Sequence, residues 1–290
     1  MQVPINLSLP FLSKLGAYLQ LTKPRLTILV VFSSVMGALI GGLSDLSILG
    51  WLLLGGYAIT GSANTMNQVW EHATDSLMER TCRRPIPAGI ISIRAGLIFG
   101  ILLVIIGIFT LSLIREDVAI IGFLGWLLYL LGYTPLKKKG LLAVFLGAVA
   151  GALPPVIGYW SVSPAVSPLL IAIFMLQFFW QFPHFWVIAW IARRDYERAG
   201  FHFFPFSPMH TRSNWLVFHF MLGALPVVSI ILWPWLPWRV EAWILVLGLL
   251  VSGIGLYLIK EEPNQKSLRY FLFTLSVYLT LLYLGIWLLR

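Results

Sequence analysis

The stretch Ile48–Pro85, ILGWLLLGGYAITGSANTMNQVWEHATDSLMERTCRRP, falls into two parts with opposite solvent preferences. Its first part, Ile48–Trp70, is apolar and as long as the roughly 17–25 residues a helix needs to cross a bilayer. Its second part is polar, in a chain with only 11% charged residues. Across the junction, Asn67, Glu71 and Asp75 recur at every fourth residue and share one face of a helix. Two carboxylates and an amide oxygen on one face suit a hard cation such as Mg2+, which takes oxygen ligands and fills its remaining positions with water and phosphate oxygens. The competing explanation is a solvated helix end that happens to carry acids. A membrane boundary followed by Arg80 and Arg84 at the same spacing favours the metal. Metal beside paired arginines there suggests a lipid diphosphate as ligand.

The remainder of the chain sets that segment in a membrane. Hydrophobic residues make up 59% of the 290 residues, which excludes a water-soluble globule. Eight further apolar windows join Ile48–Trp70: Leu26–Leu43, Ala95–Ile114, Val118–Tyr133, Leu141–Trp160, Pro168–Ile191, Trp215–Trp235, Ala242–Ile259 and Leu268–Leu289. The expectation is an all-α polytopic membrane protein, one membrane-embedded domain over residues 1–290. The fourth window is short.

A net charge of +9 invites a nucleic-acid reading, but its distribution argues against one. With nine spans, 17 of the 20 Lys and Arg residues fall on the side of the N-terminus and of the loops after even-numbered spans; only Arg115, Arg239 and Arg290 fall on the other. The positive-inside rule then places the N-terminus in the cytoplasm and the C-terminus outside. The first 22 residues resemble neither a cleavable signal nor a transit peptide, which points to a bacterial plasma (inner) membrane over a mitochondrial inner membrane. Cys82 is the single cysteine, so no intramolecular disulfide forms, and it reads as an incidental small residue.

Two long polar connections, Glu71–Arg94 and Ala192–Asn214, lie four spans apart and hint at duplicated four-helix units. A further basic group is Lys137–Lys139 in Tyr133-Thr134-Pro135-Leu136-Lys137-Lys138-Lys139; Lys137 and Lys138 join Arg80 and Arg84 as phosphate-binding candidates, although loops on this side are basic anyway. Gln177, Trp180, Gln181 and His184 end the sixth span, with Asp195 following, and an unbroken helix would align Gln181, His184 and Asp195 if Pro183 did not interrupt it. Polar groups there face a cavity or a partner. For His184 three roles stand open: haem ligand, hydrogen-bond anchor or general base. Gly147 and Gly151 give the fifth span a small-xxx-small face, and Pro154-Pro155 is expected to kink it.

Taken together, these motifs resemble the protohaem IX farnesyltransferases (haem O synthases), a branch of the UbiA superfamily of intramembrane prenyltransferases. The resemblance runs through Leu21-Thr22-Lys23-Pro24-Arg25, Asn67–Pro85, Tyr133–Lys137, Gly147–Gly158, Trp180-Gln181-Phe182-Pro183-His184-Phe185, Asp195-Tyr196 and Ala199-Gly200. Glu71 stands where the superfamily has its first aspartate, Ala73 where another aspartate is common, and Ala199 leaves the second acidic pair incomplete.

The resemblance implies a UbiA-like bundle of nine spans around a central cavity, with a polar mouth at the cytoplasmic face and a lateral opening for lipid-soluble substrates. It implies one or two Mg2+ ions on Asn67, Glu71, Asp75 and Asp195, a diphosphate on Arg80, Arg84, Lys137, Lys138 and Tyr133, and haem near Trp180, Gln181 and His184. Farnesyl diphosphate and haem B are the substrates so implied. Membrane lipid and a haem A synthase or terminal oxidase assembly factors are the candidate partners, and nucleic acid is not among them. Two alternatives stand beside this: the same fold with a quinone precursor, chlorophyllide or phospholipid as acceptor, and a non-enzymatic haem-binding chaperone or transporter. Charges gathered at one face rather than spread through the depth of the membrane argue against transport.

Overall fold

A computed structural model describes residues 11–206 and 211–290. The start of the N-terminal segment and part of the Ala192–Asn214 connection lie outside the described residues. The elements are α1 (Phe11–Leu21), α2 (Pro24–Gly41), α3 (Leu46–Trp70), α4 (His72–Asp75), α5 (Ile93–Ser112), α6 (Glu116–Leu127), a π-helical turn (Leu128–Tyr133), α7 (Thr134–Leu136), α8 (Leu141–Val162), α9 (Pro168–Ile191), α10 (Arg193–Ala199), α11 (Thr211–Leu232), α12 (Trp238–Leu258) and α13 (Gln265–Leu289). Among the described residues nine helical stretches are long and apolar enough to span a membrane, and each overlies one expected window. The short fourth window grows to Glu116–Leu136 because the π-turn and α7 carry α6 onward.

Local chemistry starts and stops these helices. Asp45 accepts from the Ser47 N–H at the head of α3, Ser92 caps α5, Ser167 with Pro168 opens α9, and Asn264 caps α13. Gly42, at φ 99°, closes α2 in the left-handed conformation that glycine takes without strain.

Sequential spans pack side by side, and α13 returns to α2, which closes a ring. Across it, α2 packs on α8 with two glycines at the crossing: a Cβ at Gly37 would strike the Pro155 carbonyl, and one at Gly158 would strike that of Ser34. The expected glycine face of α8 is also used, Gly147 lying against the Tyr133 and Phe185 rings and Gly151 against the Gln181 amide. α8 stays helical through Pro154 and Pro155. By contrast, Asp195 does not continue the helix of Gln181 and His184: α9 stops at Ile191, and Asp195 sits on the separate α10. A segment the apolar windows did not mark is α1, whose Ala17 and Leu21 pack with Ile86 and Ile91 of the first polar connection.

Candidate active site

The carboxylate face survives the end of α3. Glu71 has φ −95° and ψ 11°, a break between α3 and α4, yet the Glu71 N–H still donates to the Asn67 carbonyl and the Asp75 N–H to that of Glu71. The three side chains therefore keep their four-residue spacing. All are buried, Asp75 completely.

A buried carboxylate in a membrane protein needs a partner. Lys137 supplies one for Glu71, its Nζ lying 2.7 Å from Oε1 and 2.8 Å from Oε2. Arg84 Nη1 supplies one for Asp75 Oδ2 at 2.7 Å. Asn67 Nδ2 donates to the Thr134 hydroxyl at 3.2 Å, tying α3 to the turn that carries Lys137. The Thr81 hydroxyl donates to the Asp75 carbonyl at 2.7 Å and folds the arginine segment back over the acids. Asp75 Oδ1 is left buried without a hydrogen-bond partner. An orphaned carboxylate oxygen beside a second carboxylate and an amide is the donor set a hard cation takes.

Lys137 also lies over aromatic rings, 4.9 Å from the centre of Tyr133 and 5.6 Å from that of Phe201. From Tyr133 an aromatic path leads inward. Its ring is 5.7 Å from Phe185, Phe185 is 6.1 Å from the His184 ring, and His184 stacks on Trp180 at 4.5 Å. Trp180 Nε1 donates to the Leu275 carbonyl at 2.9 Å, which fixes the indole. His184 Nδ1 is buried with no partner. Gln181 is buried on the same helix against α8.

Other expected residues stand elsewhere. Asp195 does not join Glu71 and Asp75; its Oδ1 and Oδ2 accept from the Glu79 and Arg80 backbone N–H groups at 3.0 and 3.3 Å. Accordingly, no three Asp, Glu, His or Cys side chains among the described residues stand close enough to hold a metal ion between them. Arg80 is exposed, and burial pushes the hydroxyl of its neighbour Tyr196 above the ordinary tyrosine range. Lys138 is exposed at the surface beside Lys139.

One contributing segment had no spacing signal. Phe201 and Phe203 follow Gly200, whose φ of 68° ends α10 and turns the chain back. The His202 N–H donates to the Lys137 carbonyl at 3.0 Å and Trp186 Nε1 to that of Phe203 at 2.9 Å, so this aromatic segment backs the lysine. A cavity of about 290 Å³ beside it is bounded by Arg193, Tyr196, Phe201, Phe203 and Phe206.

Residues 28–287 match the UbiA prenyltransferase family. The chain is 41% identical over 197 residues to protoheme IX farnesyltransferase of Christiangramia forsetii, covering 68% of this chain and 66% of that protein. It is 37% identical over 257 residues to protoheme IX farnesyltransferase of Opitutus terrae, covering 83% and 82%. Its fold is similar to a UbiA homolog from Archaeoglobus fulgidus bound to GPP and Mg2+, with a TM-score of 0.70 at 15% identity, over 93% of this chain and 99% of that one. The first of these relatives is thus spanned over about two thirds of its length. The paired buried acids and the family match over nearly the whole chain lead to one assignment: the chain belongs to the UbiA prenyltransferase family.

Proposed function

We propose that this protein transfers the farnesyl group of farnesyl diphosphate to a vinyl group of haem B, with addition of water, to give haem O and diphosphate. The observation that carries the transfer chemistry is the pair of buried ion pairs, Glu71–Lys137 and Asp75–Arg84, with Asp75 Oδ1 unpartnered. The relatives' names support the acceptor.

Asn67, Glu71 and Asp75 are the oxygen donors that would hold Mg2+. When bound, the ion offsets diphosphate charge and helps the leaving oxygen depart. Arg84 and Lys137 stand next to these donors, ready to stabilise the negative charge that grows on the leaving group, with Arg80 at the rim. The allylic C1–O bond breaks and its electron pair leaves with the diphosphate. Tyr133 and Phe185 line the way inward, shield the farnesyl cation from water and stabilise it through their ring faces. The π electrons of a haem vinyl group form the new C–C bond. Water adds to the cation left beside the porphyrin, and a proton is released. Asp195 orders the Glu79–Arg80 segment through the backbone. His184 and Trp180 are placed to orient the porphyrin. The basic side of the bundle faces the cytoplasm in this reading.

The test supplies the protein in membranes with haem B, farnesyl diphosphate and Mg2+, and follows diphosphate release and porphyrin mass. The expected product carries a hydroxyethylfarnesyl group. Diphosphate release with a phenolic acceptor but not with haem would transfer the reading to a quinone-type substrate, and no release at all would leave a binder or transporter.

A further inference from the structure

A second cavity, of about 570 Å³, stands at the end of the bundle opposite the acids. α9 connects the two ends: Pro168 at its start borders the cavity, and Ile191 at its end leads to Asp195 beside the Glu79–Arg80 amides. At 24 residues the helix sets those ends roughly 35 Å apart. Nothing in the transfer chemistry uses this far cavity. Yet it is built where the ring closes: Ile40 and Gly41 end α2, Tyr159 lies in the last turn of α8, residues 235–237 join α11 to α12, and Arg290 follows α13.

Its polar groups are few and fixed by contacts. Arg290 Nη1 donates to the Ile40 carbonyl, and a Cβ on Gly42 would lie 3.7 Å from the same nitrogen, so the guanidinium is tied over the end of α2. Its other N–H groups stay available to a ligand. Tyr159 and Ser167 join their hydroxyls at 2.9 Å on the opposite wall. No acidic side chain lines the cavity among the described residues. Glu241, next to the lining residue Val240, turns onto α11 instead, where the Ser229 hydroxyl donates to its Oε2 at 2.6 Å. Arg290 pairs with no acidic side chain among the described residues. The rest of the wall is apolar, with Leu169, Leu236 and Val240.

Depth decides what such a cavity meets. Trp233, Trp235 and Trp238 are all exposed around it, and exposed indoles collect where lipid headgroups meet the hydrocarbon. A phosphate therefore stands at the level of Arg290, with acyl chain below it.

We propose that this cavity binds one anionic phospholipid, its phosphate on the Arg290 guanidinium, its headgroup hydroxyls on Tyr159 and Ser167, and its glycerol and upper acyl chain against the apolar wall. Arginine matches phosphate oxygens in bidentate fashion. A zwitterionic headgroup also carries an ammonium, and the cavity offers it no carboxylate. The lipid so held touches α2, α8, α9 and α13 together and stabilises the ring at its closure.

The test is native mass spectrometry of the whole protein, titrated in detergent with phosphatidylglycerol or with phosphatidylcholine of the same chains. The wild type is expected to retain one phosphatidylglycerol about 10-fold more tightly than phosphatidylcholine. Arg290→Gln is expected to abolish that preference while keeping the wild-type unfolding temperature without lipid, and Arg290→Lys to keep part of it. Phosphatidylglycerol should raise the unfolding temperature of the wild type more than that of Arg290→Gln. Equal retention of the two lipids by the wild type, or an undiminished preference in a folded Arg290→Gln, overturns the proposal. Glycerol 3-phosphate bound as tightly as phosphatidylglycerol also overturns it, by making the cavity a plain anion site. These wild-type comparisons decide the matter even where Arg290→Gln fails to fold.

Discussion

The two long polar connections follow corresponding spans, yet they use their acids in opposite ways. After α3, Glu71 and Asp75 are buried and matched to side-chain cations brought from Lys137 and Arg84. After α9, Asp195 meets backbone N–H groups of the first connection, and Arg198 links it outward to Glu79 at 2.8 Å. A carboxylate held by side-chain cations can exchange them for a metal ion, which frees the cations for an anion. One held by backbone amides is part of the frame. In the proposed reaction the first connection carries the chemistry and the second keeps it in shape.

The sharpest way to break this contrast is Asp75→Ala, which removes the orphaned oxygen and leaves Arg84 without its carboxylate partner. If an amount like the cost of breaking a buried pair, about 3–5 kcal/mol, is lost from the transition state, haem O formation should fall by about a hundredfold to a few thousandfold. Glu71→Asp keeps a carboxylate and should retain measurable turnover. Product formed by Asp75→Ala at the wild-type rate with Mg2+ present would remove the first connection from the chemistry.

Asp195→Asn comes next. The amide oxygen still accepts one loop N–H, so a framing role predicts a loss of about tenfold, the size of a weakened charge-assisted hydrogen bond. A loss equal to that of Asp75→Ala would instead put both acids on the metal and dissolve the distinction.

His184→Ala probes the inner end of the aromatic path. The expected result is a KM for haem raised about three- to tenfold, in keeping with a lost stacking contact, and a KM for farnesyl diphosphate left alone. The Soret band distinguishes the roles: a shift marks iron ligation, an unchanged band marks positioning. The smallest effect belongs to Arg198→Ala. Its pair with Glu79 is exposed and screened, so the change should stay within about twofold and vanish at high salt.

Much of the fold was legible because a bilayer makes strict demands: every span must be long and apolar, and hydropathy is a local sum. All nine windows therefore correspond to helices, while α1, too short to span, left no such mark. The site was legible in proportion to how local it is. Asn67, Glu71 and Asp75 share a face because four residues make about one helical turn, and that survives even the break at Glu71.

The amino-acid order by itself thus settled the nine spans, their charge asymmetry and the acidic face that ends the second. Only the tertiary structure decided which cation meets which acid and that Asp195 turns to the Glu79–Arg80 amides. Those choices join residues 66 and 116 positions apart. Periodicity records what lies one turn away along a helix. Partners across the bundle are set by which helices pack together and how closely their glycines let them approach.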